Sequence, residues 1–181
     1  KFSLLDTAFN PPTSSEIRKT ATPYISKKLG KEKNYLEPQG DVEKAEEYYR
    51  RAADAGDVFA QPHYNIGSIL QSRGDIFGAI QEYEKAIEID PTFHYSYQNL
   101  MVVYANQGDF VKAIKYGEIL KQLRPNDPRV YYNLALIYLA TNDRNSALAN
   151  LNQGLDVVGN DPEAGRLIGE LLEKIVVAEL K

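Results

Sequence analysis

Apolar residues return along this chain at the spacing of one helix face, and the pattern then recurs as a block. Between residues 60 and 93 they stand at Ile66, Ile69 and Leu70, then at Ala79, Ile80, Tyr83, Ala86 and Ile87. That is the i, i+3, i+4 rhythm of an amphipathic helix, not the alternation of a strand. Arg73-Gly74-Asp75 separates the two groups. Gly74 can adopt the left-handed backbone that ends one helix, and Asp75 can cap the next by accepting an amide hydrogen bond. Pro91 closes the second helix, because the residue before a proline is pushed off helical backbone. Small residues at Gly67, Ala79 and Ala86 let the two helices approach closely. The segment predicts a helix–turn–helix pair.

The same punctuation recurs every 34 residues: Gly40-Asp41, Gly74-Asp75, Gly108-Asp109 and Asn142-Asp143. An alanine follows each aspartate by four residues, at Ala45, Ala79, Ala113 and Ala147. Asn65, Asn99 and Asn133 form a second column, and Ile66, Leu100, Leu134 and Ile168 a third. Asparagine tolerates left-handed backbone better than other residues with a Cβ, so Asn142 fits a glycine column.

A 34-residue helical hairpin with these columns resembles the tetratricopeptide repeat family. The match is carried by Tyr64-Asn65-Ile66-Gly67, by Gln71-Ser72-Arg73-Gly74-Asp75, and by Ala79-Ile80 through Ala86-Ile87-Glu88-Ile89-Asp90-Pro91. The resemblance implies an all-α fold, a right-handed α-solenoid of stacked helix-turn-helix repeats with a C-terminal capping helix. On that reading the chain divides into a mostly irregular extension (1–24), a degenerate first repeat (25–59), repeats at 60–93, 94–127 and 128–161, and a capping helix (162–181). Residues 41–56 read as the second helix of the degenerate repeat, and residues 25–36 as its first, weakened by Gly30 and ended near Pro38. Met101 and Leu120 fill positions where the family prefers small residues, while Gly117 replaces a bulky aromatic. Gly117 is expected to make room for that extra volume.

Composition narrows the function. The chain of 181 residues has no cysteine and a formal charge of −4, which removes thiolate chemistry and sulfur-ligated metals and argues against binding nucleic acid. The charge is uneven: residues 1–40 carry net +3 and the remainder net −7. No apolar run reaches the roughly 18 residues of a spanning helix. Lys1 in place of methionine is read as a processed or trimmed chain, which leaves the compartment open.

No nucleotide, hydrolase or zinc-protease motif occurs, so no enzyme activity, cofactor or metal is expected. His63 stands where later repeats have Tyr97 and Tyr131, a position for a large ring between helices, and reads as a core substitute. His94 opens a helix. Asp41, Asp75, Asp109 and Asp143 read as separate caps rather than as metal ligands, and Arg73-Gly74-Asp75 as a turn rather than an adhesion motif. Tyr83, Tyr97, Tyr104, Tyr131 and Tyr138 fall on packing columns.

In the family, the first helices of the hairpins line a concave surface. Those positions here are Gln61, Tyr64, Asn65, Ser68 and Gln71; then Tyr95, Gln98, Asn99, Val102 and Ala105; then Arg129, Tyr132, Asn133, Leu136 and Leu139. The resemblance implies that the asparagine ladder grips an extended peptide backbone, to which an amide offers both donor and acceptor. The rival reading is that each asparagine bonds within the solenoid. Only Arg129 is basic among these positions, so a clamp for acidic chaperone tails is not expected. The partner is expected to be a neutral or apolar protein segment, extended or helical.

Phe2, Leu4, Leu5 and Phe9 have no place in the repeats. Residues 2–9 are expected to dock on a groove or end face of their own molecule or a neighbour's, making homo-oligomers through this segment or the C-terminal helix an open alternative. The reading from these features is a non-enzymatic interaction scaffold. The alternative is a regulatory or substrate-docking module of a larger enzyme or of a membrane-anchored assembly factor. RNA binding by related helical repeats is disfavoured by the acidic balance.

Overall fold

The computed structural model describes residues 59–159 and 161–177, preceded by residues 45–47, 49, 50 and 53. Among the described residues all regular structure is helical: α1 (Ala60–Ser72), α2 (Ile76–Ile89), α3 (His94–Gln107), α4 (Phe110–Leu123), α5 (Pro128–Ala140), α6 (Arg144–Asp156) and α7 (Pro162–Val177). The described residues between 45 and 53 are also helical. The readings made for residues 1–24, for 25–36, for Pro38 and for Gly40-Asp41 lie outside the described residues.

The three tight turns are built alike. Gly74, Gly108 and Asn142 have φ of 85°, 81° and 60°, the left-handed backbone that reverses the chain at a helix end. The amide of the following aspartate then bonds back to a carbonyl in the last turn of the preceding helix: Asp75 to Leu70, Asp109 to Tyr104 and Asp143 to Tyr138, at 2.8–2.9 Å. Each aspartate carboxylate caps the next helix, Asp75 accepting from the Gly78 amide at 2.9 Å, Asp109 from Lys112 at 3.2 Å and Asp143 from Ser146 at 3.0 Å. Such a cap is worth about 1 kcal/mol. The two Ser146 hydrogen bonds, from backbone and hydroxyl, hold the Asp143 carboxyl below its usual range. The longer joints use the same chemistry, with Asp127 and Asp161 as caps ahead of Pro128 and Pro162, since proline at the first helical position loses no hydrogen bond.

Packing divides the described chain within α3, between Asn99 and Leu100, and each part has its own core. In the part up to Asn99, α1 lies so close to α2 that a Cβ on Gly67 would sit 2.7 Å from the Tyr83 ring. Ala79, Tyr83 and Ala86 are fully buried there, and Ile66 and Ile69 pack with Tyr49. In the part from Leu100 on, Ala135, Ala147, Leu151, Ile168 and Ile175 form one apolar cluster joining α5, α6 and α7. Burying Leu151 or Ile168 completely stabilises by about 1.5–3 kcal/mol each. The Arg144 guanidinium donates to the Ile175 carbonyl near the end of α7, where helix carbonyls lack internal partners.

Gly117 sits at a second close approach. A Cβ there would lie 2.6 Å from Leu134 Cδ2 and 2.9 Å from Met101 Sδ. The vacated aromatic space is therefore shared by two side chains, with Leu134 the nearer, and not by Met101 alone. Met101 and Leu120 are both buried.

Candidate functional site

In the part up to Asn99, the positions expected to face a ligand are largely drawn inward. Tyr64, Asn65 and Ser68 are 7%, 0% and 5% exposed. Gln61 Nε2 donates to Asn65 Oδ1 at 2.9 Å, and the Ser68 hydroxyl donates to the Tyr64 carbonyl at 3.0 Å. The Tyr83 hydroxyl donates to Gln71 Oε1 at 2.8 Å. Asn99 is also buried. The Nδ2 atoms of Asn65 and Asn99 fall short of hydrogen-bond geometry, but phenols stand beside the two amides: Tyr49 by Asn65, and Tyr64 and Tyr83 by Asn99. Burial pushes all three phenols above the ordinary tyrosine range, Tyr83 to about 12, and the amides and Ser68 offset only part of it.

What stays open in this part is aromatic. Tyr95 is 47% exposed, and its ring lies 4.0 Å from His94, 5.6 Å from Phe93 and 5.8 Å from Tyr64, centre to centre. Gln98 is half-buried beside it in sequence. The structure thus brings Tyr64 and Tyr95 together but offers only Tyr95 to solvent.

The part from Leu100 on is different. Val102, Tyr132, Leu136 and Leu139 are half-buried; Tyr132 and Leu139 rest on the apolar cluster of α5, α6 and α7. Burial raises the Tyr132 phenol first, and the Glu170 carboxylate adds to it against an opposing Arg166. Arg129 is exposed in the first turn of α5, with its Nε 3.2 Å from Asp127 Oδ1. It borders a cavity of about 480 Å³ that also touches Arg124, Val157, Val158 and Pro162.

Asn133 is 0% exposed, and among the described residues neither its amide nitrogen nor its amide oxygen has a hydrogen-bond partner. A buried polar group left unpaired costs about 1–3 kcal/mol. The sequence explains the difference from Asn99. The phenol beside Asn99 comes from Tyr83, and 34 residues further on the chain has Gly117. Leu134 and Met101 fill that space with aliphatic and sulfur atoms, so no hydroxyl stands where Asn133 would need one.

The remaining candidates have structural roles. His63 Nδ1 lies 2.7 Å from Glu82 Oε2, and the ring is half-buried, so His63 is tied to α2 by a polar bond and is not a fully buried core substitute. Its counterparts Tyr97 and Tyr131 instead donate to the carbonyls of Pro91 and Pro125. Burial works to raise the Glu82 carboxyl, but bonds from His63 and Lys85 prevail and hold it below its ordinary range. Tyr83, Tyr97, Tyr104 and Tyr131 are buried, whereas Tyr138 is half-buried and donates to Glu118 at 3.1 Å. Burial and that carboxylate push the Tyr138 phenol up to about 12. Arg73 pairs with Glu46 and Asp75 caps α2, which accounts for the Arg73-Gly74-Asp75 turn. Among the described residues no group of three histidine or acidic side chains is placed to hold a metal, and no helix is long and apolar enough to cross a membrane. Sequence reasoning passed over Glu82, Glu118 and Arg144, because their partners lie 19, 20 and 31 residues away and no short motif marks them.

Helical hairpins with this turn chemistry define the class, an all-α solenoid of stacked helix-turn-helix repeats. A family model described as TPR repeat matches residues 67–108, and one described as tetratricopeptide repeat matches residues 107–171. Together they span more than half of the chain, which belongs to the tetratricopeptide repeat family. Among curated proteins no sequence matches it. Solved structures share the fold. MamA is 20% identical with a TM-score of 0.62, over 88% of this chain and 85% of MamA. The 41-end form of MamA from Desulfovibrio magneticus RS-1 is 18% identical with a TM-score of 0.60, over 91% and 96%. YrrB, described as a TPR protein with an unusual peptide-binding site, is 16% identical with a TM-score of 0.60, over 93% and 77%. The family and fold are those of protein–protein interaction scaffolds, which are generally not enzymes.

Proposed function

We propose that this scaffold binds a neutral or apolar segment of a partner protein across the α5 face, with Val102, Tyr132, Asn133 and Leu136 as principal contacts and Arg129 at the rim. The reading rests on one observation, the Asn133 amide with no partner for either atom among the described residues. Asn133 lies fully buried beneath this face, so its side chain must turn outward to take a carbonyl on Nδ2 and an amide hydrogen on Oδ1 from a peptide backbone. The half-buried Leu136 and Leu139 beside it in sequence favour apolar ligand side chains. Within the part up to Asn99, Tyr95 and Gln98 are the accessible contacts in the same reading, while Tyr64, Asn65, Ser68 and Asn99 act from below by fixing the surface. The surface is largely set before a partner arrives, which lowers the ordering cost of association.

Selection of displayed random 12-residue peptides on the purified chain tests this. Selected peptides are expected to lose about tenfold or more in affinity with Asn133→Ala or Leu136→Asp, the equivalent of roughly 1.4 kcal/mol, and little with Val111→Asp on α4. If every selected peptide binds the α5 variants as tightly as the parent chain, the proposal fails.

A further inference from the structure

We infer that the cavity beside Arg129 is a second recognition site, for an acidic side chain with an apolar neighbour on a partner segment. It shares Arg129 with the face proposed above but does not involve Asn133.

The cavity lies where two successive joints of the repeat run side by side. One wall is the α4–α5 joint with Arg124, Asp127 and Pro128, and the other is the α6–α7 joint with Val157, Val158 and Asp161. Its volume of about 480 Å³ falls within the roughly 300–1,000 Å³ of ligand clefts.

The charges of the lining are layered by sign. Arg124 Nη2 and Arg129 Nε lie 3.6 and 3.2 Å from the two Asp127 carboxylate oxygens. Two guanidiniums thus share one carboxylate, and the cluster keeps a net positive charge. The Asp127 side chain is 12% exposed, against 43% for Arg124 and 52% for Arg129, so an approaching ligand meets the cations first. Among the described residues Arg129 bonds to Asp127, through Nε and its backbone amide, which leaves both terminal nitrogens as donors. The second acid, Asp161, accepts from the Ala164 amide and is offset by the positive end of α7.

The repeat does not need these arginines. In their two columns the preceding joint has Asp90 and Tyr95, and the following one Val158 and Glu163, yet a helix follows each joint. A cation in the first turn of a helix, where Arg129 stands, also has the unfavourable sign for the helix dipole. The chemistry favours an acidic side chain over a chain terminus. Terminal carboxylates are captured by clusters of free backbone amides, and acidic motifs by arginines. Here the Arg129 and Ala164 amides at the helix starts already bond to Asp127 and Asp161, and the guanidinium fork is what remains for a carboxylate. The half-buried Val157 and Val158 across the cavity suit an apolar residue next to the acid.

Random 12-residue peptides displayed and selected on the full chain, then resynthesised with both ends blocked, test the site. A class carrying Asp or Glu beside an apolar residue is expected. Changing that acid to its amide, or Arg129→Gln in the protein, should each weaken binding about tenfold, the scale of a hydrogen bond to a charged group. Made together, the two changes should cost little more than either alone. Arg129→Lys keeps the charge without the fork and should retain only part of the affinity, and added salt should weaken the whole class. Should circular dichroism show Arg129→Gln misfolded, Val158→Asp, which sets a further carboxylate on the cavity wall, takes its place. The absence of an acid-dependent class, or an acid that matters as much in the Arg129→Gln chain as in the parent, would overturn the inference. If every selected peptide responds to Leu136→Asp and none to Arg129→Gln, this site fails and the α5 face stands. The reverse result leaves this site standing without that face.

Discussion

Asn99 and Asn133 occupy the same column of consecutive repeats, and both are buried. Asn99 has the Tyr64 and Tyr83 phenols beside its amide although its Nδ2 is unbonded, whereas among the described residues Asn133 has no partner for either amide atom. The first is part of an internal polar network that stiffens α1, α2 and the start of α3. The second is a buried amide whose counterpart is missing, because glycine replaced the tyrosine one repeat on. One repeat position thus serves cohesion in one part of the chain and, on the reading above, recognition in the other.

The largest effect expected from this contrast lies at Gly117. Gly117→Phe restores the ring that the family prefers but drives it into Leu134 and Met101, and overpacking of this kind costs about 1–3 kcal/mol. Thermal unfolding should show a smaller loss in a Met101→Gly background. The relief will be incomplete, because Leu134 is the nearer neighbour; full relief would show that Met101 alone sets the space. Next come the two asparagines. Asn99→Leu removes the polar group beside two buried phenols and should cost about 1–3 kcal/mol, while Asn133→Leu leaves nothing unpaired and should be neutral or stabilising. Equal losses in denaturant unfolding would break the comparison.

Ser96, fully buried with no partner for its hydroxyl among the described residues, lies in the part up to Asn99 yet outside its network. Ser96→Ala should raise stability, by no more than about 1 kcal/mol, and a clear loss in the melting temperature would reveal a partner for the hydroxyl. The smallest effect is on pH. The Glu82 carboxyl is held below its ordinary value of 4.5, so its contribution is present above that value and is lost as the pH falls through the lowered one. Glu82→Gln should flatten the acid side of the stability profile, and an unchanged profile would show that the contact with His63 contributes nothing in solution.

Much of the fold was readable residue by residue. Gly74, Gly108 and Asn142 have left-handed backbone, and Asp75, Asp109 and Asp143 cap the following helices, because both tasks restrict residue type at a single position. The binding face was less readable. Its columns follow from the period, but whether Asn65 or Asn133 has company depends on Tyr49 and Gly117, each 16 residues earlier, and on what fills the space between. His63 was misread for a related reason: a histidine in a tyrosine column bonds to whatever acceptor lies within reach, and Glu82 is on the neighbouring helix.

The amino-acid pattern by itself determined the repeat, the helices, their stops and their caps, since helical periodicity and turn chemistry act over a few residues. Only the tertiary structure decided which polar side chains are satisfied, how deeply Tyr64 and the asparagines are buried, and that Asn133 finds no partner for either amide atom among the described residues. Hydrogen bonding and desolvation depend on atoms brought together across helices to within a few ångströms, and a one-dimensional pattern does not carry that separation.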